Sequence, residues 1–426
     1  MIKFLIKGLM RDRSRSLFPV VIVAAGVFIT VLMYSFINGV MSDMLNSNAK
    51  FDTGHVKVIT KAYREIADQV PNDLALMDVN QVIERLEKER SDMFWAPRIR
   101  FGGLLDIPDK KGETKVQGPV FGMGVNIFGK DSRETDILNL KASIVEGKLP
   151  AAKNEILLSS QFAKKLGVKP GDAATLVSST MYGSMVIYNF KIAGTVEFGI
   201  AVLDKGSMIA DISDVRNALD MDNAASEIVG FTDKMDYNDE DMLALTSKTN
   251  NGIFKSADEF SPVMMALREN GDMGMFIDLI GYFSAIIVGL FVFVMSVVLW
   301  NSGLMNGIRR YGEIGIRLAM GENKGTVYRR MILESFFLGL AGSILGTALG
   351  LGLSYLLQYH PVDFTGTGKL QQSNVIMSNK IRAVVNGTSY IVGFFPGIIA
   401  SVLGTIAAGI GIYRRKTSQL FKELEV

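Results

Sequence analysis

Four stretches of the chain, Leu17–Ile37, Leu279–Trp300, Ser335–Leu357 and Ser389–Tyr413, run for 21 to 25 residues without one Asp, Glu, Lys or Arg. A helix needs about 20 apolar residues to cross the roughly 30 Å hydrocarbon layer of a bilayer. Each run is long enough, so the pattern predicts four spanning helices, and it accounts for a mean hydropathy of +0.26 in a chain of 426 residues. The formal charge of +2 hides a division. Residues 1–16, 301–331 and 414–426 together carry 15 Lys/Arg against 5 Asp/Glu, whereas residues 42–275 carry 27 against 35. Short basic segments stay on the cytoplasmic side, and long domains are exported whatever their charge.

The expected layout follows: a cytoplasmic leader (1–16), a first span (17–41), a large outer domain (42–275), a second span (276–300), a cytoplasmic loop (301–331), a third span (332–357), an outer loop (358–389), a fourth span (390–413) and a cytoplasmic tail (414–426). The leader places Ile2, Leu5, Ile6 and Leu9 on one helical face and Lys3 and Lys7 on the other, which suits a helix lying on the inner membrane surface. The first run exceeds the usual 7–15-residue core of a secretory signal and has no cleavage pattern after Ile37, so it is expected to stay. The outer domain reads as α+β, with strands at Glu155–Ser159, Thr175–Ser178 and Met185–Phe198 alternating with helices at Asp78–Arg90, Gln161–Leu166 and Ser213–Leu219. Two lobes are expected, dividing near Phe231–Asn251, and the 358–389 segment reads as a flexible loop.

Catalytic chemistry finds little support. The two histidines, His55 and His360, are not spaced as metal ligands, there are no cysteines, and no Gly-x-Ser-x-Gly elbow occurs. A phosphate-cradling Gly-x-x-x-x-Gly-Lys-Ser/Thr loop is missing too, since Gly368-Lys369 is followed by Leu370. The chain is therefore expected to hold no cofactor or metal, to bind no nucleic acid and not to hydrolyse ATP alone. Gly342, Gly346 and Gly350 share one face of the third span, a spacing that lets helix backbones approach closely, within the chain or across a dimer.

The loop 301–331 is the most specific segment. Ile314 and Leu318 stand a turn apart, Glu313 and Arg317 are at i,i+4, and Gly321 stops the helix, so a short amphipathic helix is joined through Val327 and Met331 to the third span. Residues Arg309–Glu334, above all Tyr311-Gly-Glu-Ile-Gly-Ile-Arg-Leu-Ala-Met-Gly321, resemble the coupling-helix signature of the FtsX/MacB superfamily of ABC transporter permeases. Landmarks at Asn38-Gly39, Gly129-Lys-Asp, Glu146-Gly-Lys, Asn154–Asp172 and Phe190–Thr195 are most similar to LolC/LolE-type lipoprotein-releasing permeases, while Ile412-Tyr-Arg-Arg-Lys416 departs from that pattern after the fourth span.

The resemblance implies a type VII permease of the bacterial inner membrane, both termini cytoplasmic, with its large periplasmic α+β domain inserted between the first two of four transmembrane helices. It implies a dimer, of two copies or with a related permease, served by separate ATPase subunits that hold ATP and Mg. Arg309, Glu313, Ile314, Arg317, Leu318 and Gly321 are then the coupling residues. Met33, Phe36, Phe276, Tyr282 and Phe283, near the outer ends of the first two spans, are candidates to touch a lipoprotein's acyl chains or the membrane lipid. A periplasmic carrier would receive the lipoprotein. The same architecture also serves efflux of peptides, toxins or drugs in MacB-like permeases, and regulation of a periplasmic enzyme in FtsX.

Overall fold

The computed structural model describes residues 13–109, 111–129, 132–233, 235, 237–309, 316, 320–363 and 380–414. The chain forms two compact units: a helical one from residues 1–42, 278–363 and 381–426, and a sheet domain from residues 43–277 with 364–380. Among the described residues, four helices are long and apolar enough to cross a membrane. They are α1 (Arg13–Asn48), α2 (Met273–Arg309), α3 (Lys324–Tyr359) and α4 (Phe394–Arg414). The first three outrun the apolar stretches, because the helix continues into polar sequence wherever nothing breaks it. The expected connector through Val327 and Met331 is the first part of α3 itself, begun by Asn323, whose Oδ1 accepts from Gly325 N at 3.2 Å. The leader expected at residues 1–16 lies, up to residue 12, outside the described residues, as do residues 415–426 of the tail.

In the helical unit, Val23, Val27 and Val31 of α1 are fully buried. They meet Gly342, Gly346 and Gly350 of α3 in turn: a Cβ added at Gly346 would lie 2.5 Å from the Ala24 carbonyl oxygen and 2.8 Å from the Val27 Cβ. On the other side Gly393 and Gly397 take up the same valines. Helices α3 and α4 are joined differently, by two reciprocal bonds in which Ser335 Oγ donates to the Ser401 carbonyl (3.2 Å) and Ser401 Oγ donates to the Ser335 carbonyl (2.8 Å). Helix α2 meets the others through Met295 and Leu299. It leaves Tyr282, Ile286, Leu290, Phe293 and Val297 exposed along one side. The end of the 358–389 segment is no flexible loop: Val384 N donates to the Ser35 carbonyl (2.9 Å) and Val385 N to Gln358 Oε1 (3.2 Å). The Arg382 carbonyl sits where any side chain at Gly39 would be, a backbone approach that hydropathy does not register.

The sheet domain is built on ten strands, β1 (Val56–Thr60), β2 (Met93–Pro108), β3 (Thr114–Val125), β4 (Ile144–Gly147), β5 (Glu155–Ser159), β6 (Ala173–Ser179), β7 (Met185–Val196), β8 (Ser207–Asp211), β9 (Glu227–Thr232) and β10 (Pro262–Ala266). Pairing runs β2-β3-β8-β5-β7-β6 and back to β2, so this half closes into a ring, with β4 added to β7 as an edge strand outside it. The other half is the sheet β10-β1-β9-β2. Strand β2 belongs to both, Met93–Arg98 pairing with β9 and Ile99–Pro108 with β3. The closed half is thus inserted into the open one, and the lobes divide within β2 and again before β9 rather than near Phe231–Asn251. Helices Val79–Glu89, Ser160–Leu166 and Ile212–Leu219 lie where the periodicity put them.

Gly346→Val should overpack the α1–α3 seam at a cost of about 1–3 kcal/mol. Thermal unfolding in detergent should show a lower midpoint for this variant, while Gly352→Ala, whose added Cβ meets nothing within 4 Å, should not lower it.

Candidate functional site

A helix leaves its last four carbonyls without partners, and its C-terminus carries partial negative charge. Beyond Asn48, α1 continues into a π-helical turn, Ala49–Thr53, closed at Gly54 (φ +64°) by a bond from Gly54 N to the Ala49 carbonyl. Two arginines two apart on β2, and hence on one face of the strand, take the carbonyls that follow. Arg98 Nη1 donates to the Lys50 carbonyl at 2.7 Å. Arg100 Nη2 donates to the carbonyls of Phe51 (2.7 Å) and Asp52 (2.9 Å).

Both arginines are held by acids. Arg98 is fully buried and forms a bidentate pair with equally buried Glu134, Nε to Oε2 at 3.1 Å and Nη2 to Oε1 at 2.9 Å, with the Phe231 ring beneath it. Arg100 Nε donates to Glu227 Oε1 at 2.8 Å, and Glu227 also faces Lys57. Burial works against the charge on Arg100, but Glu227 and Asp52 beside it hold its pKa above the ordinary guanidinium value. Burial, and then the charge of Glu227, push the nearby Tyr63 hydroxyl up as well. Asp52 ties in one more element, because its Oδ2 accepts from Asn270 Nδ2 at 3.0 Å and Asn270 lies just before α2. Phe51 meanwhile enters an apolar cluster with Met123, Leu157 and Ile209 and packs edge-on to Phe198. The end of α1, the foot of α2, β2 and β9 therefore meet in one polar joint. Sequence reading passed over it; the available signal was Arg98-x-Arg100 set among the otherwise apolar residues 93–105.

The residues singled out from sequence lie elsewhere in the chain. Arg309 ends α2; Glu313, Ile314, Arg317 and Leu318 lie outside the described residues; Gly321 has the left-handed backbone (φ +92°) expected of a helix stop. Beyond it Arg330 Nη1 pairs with Glu322 Oε1 at 2.7 Å. Met33 and Phe276 are half-buried, and Phe36, Tyr282 and Phe283 are exposed.

A second surface lies on the closed half of the sheet domain. Cross-strand pairing lines up Pro119, Leu104, Val177 and Ile187 in one row and Phe121 with Gly102 and Met185 with Ser179 in the next. Phe121 is 71% exposed, Met185 75% and Ile187 63%, an unusually large apolar area to leave in water. Beside it opens a cleft of about 730 Å³, floored by Phe101, Phe121 and Met181 and walled by Asp68 and Asp73, with no basic residue in its lining.

Residues 285–417 match the family model described as FtsX-like permease C-terminal. The chain is 23% identical over 268 residues to the ABC transporter permease YtrF of Bacillus subtilis (strain 168), a match covering 52% of this chain and 58% of that protein. It is 28% identical over 122 residues to the macrolide export ATP-binding/permease protein MacB of Rhodopseudomonas palustris (strain BisB18), covering 27% of this chain and 18% of that one. The chain thus spans little more than half the length of the first relative and about a fifth of the second. The periplasmic region of MacB from Actinobacillus actinomycetemcomitans is similar at 14% identity, over 52% of this chain and 92% of that one, with a TM-score of 0.34.

Glu134→Ala should strand the buried Arg98 charge and cost about 3–5 kcal/mol, whereas Arg98→Met with Glu134→Leu, which removes both charges, should recover much of that stability. Chemical denaturation of the full chain checks the order of the two.

Proposed function

The chain carries an FtsX-like permease domain, and from that premise we propose that it transmits ATP-driven motion from cytoplasmic ATPase subunits to its sheet domain, most specifically to release lipoproteins from the inner membrane. A dimer of ATPases binding ATP and Mg would push on Arg309–Gly321, with Glu313 and Arg317 making the polar contacts and Ile314 and Leu318 the apolar ones. The permease itself would be paired with a second copy or a related subunit. The observation that carries this reading is the joint: three carbonyls at the end of α1 are held by two charge-assisted anchors, so displacement of the helix reaches β2 without slack. The sheet domain would stand in the periplasm and both termini in the cytoplasm.

Lipoprotein release is favoured over drug efflux by the apolar platform of Phe121, Met185 and Ile187, which offers a periplasmic carrier a face to dock on. Exposed Phe36, Tyr282 and Phe283, with Met33 and Phe276 half-buried, would meet the acyl chains or the surrounding lipid. The named macrolide exporter among the relatives keeps efflux as the second reading.

Arg100→Lys keeps the charge but loses the planar fork. It should preserve ATP hydrolysis by the assembled transporter and abolish most substrate release; equal loss of both would place Arg100 outside the transmission path. Glu313→Lys should reduce co-purification of the ATPase and substrate-stimulated hydrolysis. Depletion of the chain should leave lipoproteins in the inner-membrane fraction, and normal sorting would remove the lipoprotein reading.

A further inference from the structure

The α1 seam repeats every four residues on all three helices that form it. On α1 the stripe is Val23, Val27, Val31, Ser35 and Gly39; on α3 it is Gly342, Gly346, Gly350 and Ser354. The facing stripe beside α4 reads Ser389, Gly393 and Gly397. Contacts step in register, Gly342 with Val23, Gly346 with Val27 and Gly350 with Val31, which puts Ser354 level with Ser35. Moving α1 by one turn, about 5.4 Å, therefore sets Val23 against Gly346, Val27 against Gly350 and Val31 against Ser354, small residues throughout.

We propose that α1 is a slide that steps one helical turn toward its own C-terminal end, held at rest by a latch at residues 382–384. The direction follows from what closes each end of the slot. One turn beyond Gly350 stands Ser354 and one turn beyond Gly393 stands Ser389, both small and fully buried; one turn before Gly342 stands Leu338, which would collide with Val23. Packing of hydrocarbon against backbone resists sliding far less than the reciprocal Ser335–Ser401 bonds that lock α3 to α4. The latch is the Val384 N–H bond to the Ser35 carbonyl together with the Arg382 carbonyl over Gly39, where an arriving Ser35 side chain does not fit until the segment lets go. One-turn ratchets of packed helices are an established kind of switching motion. The slide rests on the transmission reading only for its drive.

The chain has no cysteine, so introduced pairs are its only thiols. In membrane vesicles holding the full chain with its ATPase, Ser35→Cys with Ser354→Cys should cross-link under copper phenanthroline without nucleotide. Val31→Cys with Ser354→Cys should link several-fold more after ATP and vanadate, and also without nucleotide when Val384→Pro removes the latch donor. Linking of the stepped pair in the latch variant but not with ATP and vanadate would keep the slide and overturn its ATP drive. Linking of the stepped pair in neither condition, or failure of the resting pair, would overturn the slide itself.

Discussion

The polar joint at the end of α1 is arranged around carbonyl groups that a helix cannot satisfy by itself. Helix α1 does not fray into water after its apolar stretch; it is carried on from Ile37 to Asn48 and ends inside protein, where an unpaired carbonyl costs about 1–3 kcal/mol. Arg98 and Arg100 answer that cost, and their own burial then demands Glu134 and Glu227. The shared strand β2 is what lets both arginines stand at the place where the two halves of the domain meet.

The helical unit solves the opposite problem. Its α3–α4 contact is fixed by hydrogen bonds in an apolar setting, while α1 is held by shape alone along most of its length. Firmness at the joint and smoothness along the seam are complementary: a rod that transmits displacement needs a tight coupling at its end and low resistance along its side.

Composition made the spans legible because the bilayer tolerates so few sequences; 21 uncharged residues have little else to become. Strands β5 and β7 and the helix at Ile212–Leu219 were legible for a related reason, their periodicity being uninterrupted. The β2–β3 hairpin was not, since Pro97, Gly102, Gly103, Gly118 and Pro119 break the alternation by which a strand is recognised. Nor was the joint. Its members come from positions 50 to 270, and a lone arginine in a strand looks the same on paper whether it meets solvent or a helix end. Resemblance directed attention to Glu313–Gly321, most of which lies outside the described residues; among the described residues, polar chemistry gathers at the end of α1.

Strand order also has a consequence for how the molecule is made. The open sheet β10-β1-β9-β2 takes its first strand from residue 56 and its last from residue 266, with the whole closed half threaded between. Synthesis delivers β1 long before its two neighbours, β9 and β10, exist. During that interval the end of α1 has no arginine pair set in a finished wall, so the nascent chain is tethered by one helix and ungripped. The last strand to emerge is the one that immediately precedes α2, which makes completion of the domain and arrival of the second helix nearly simultaneous events.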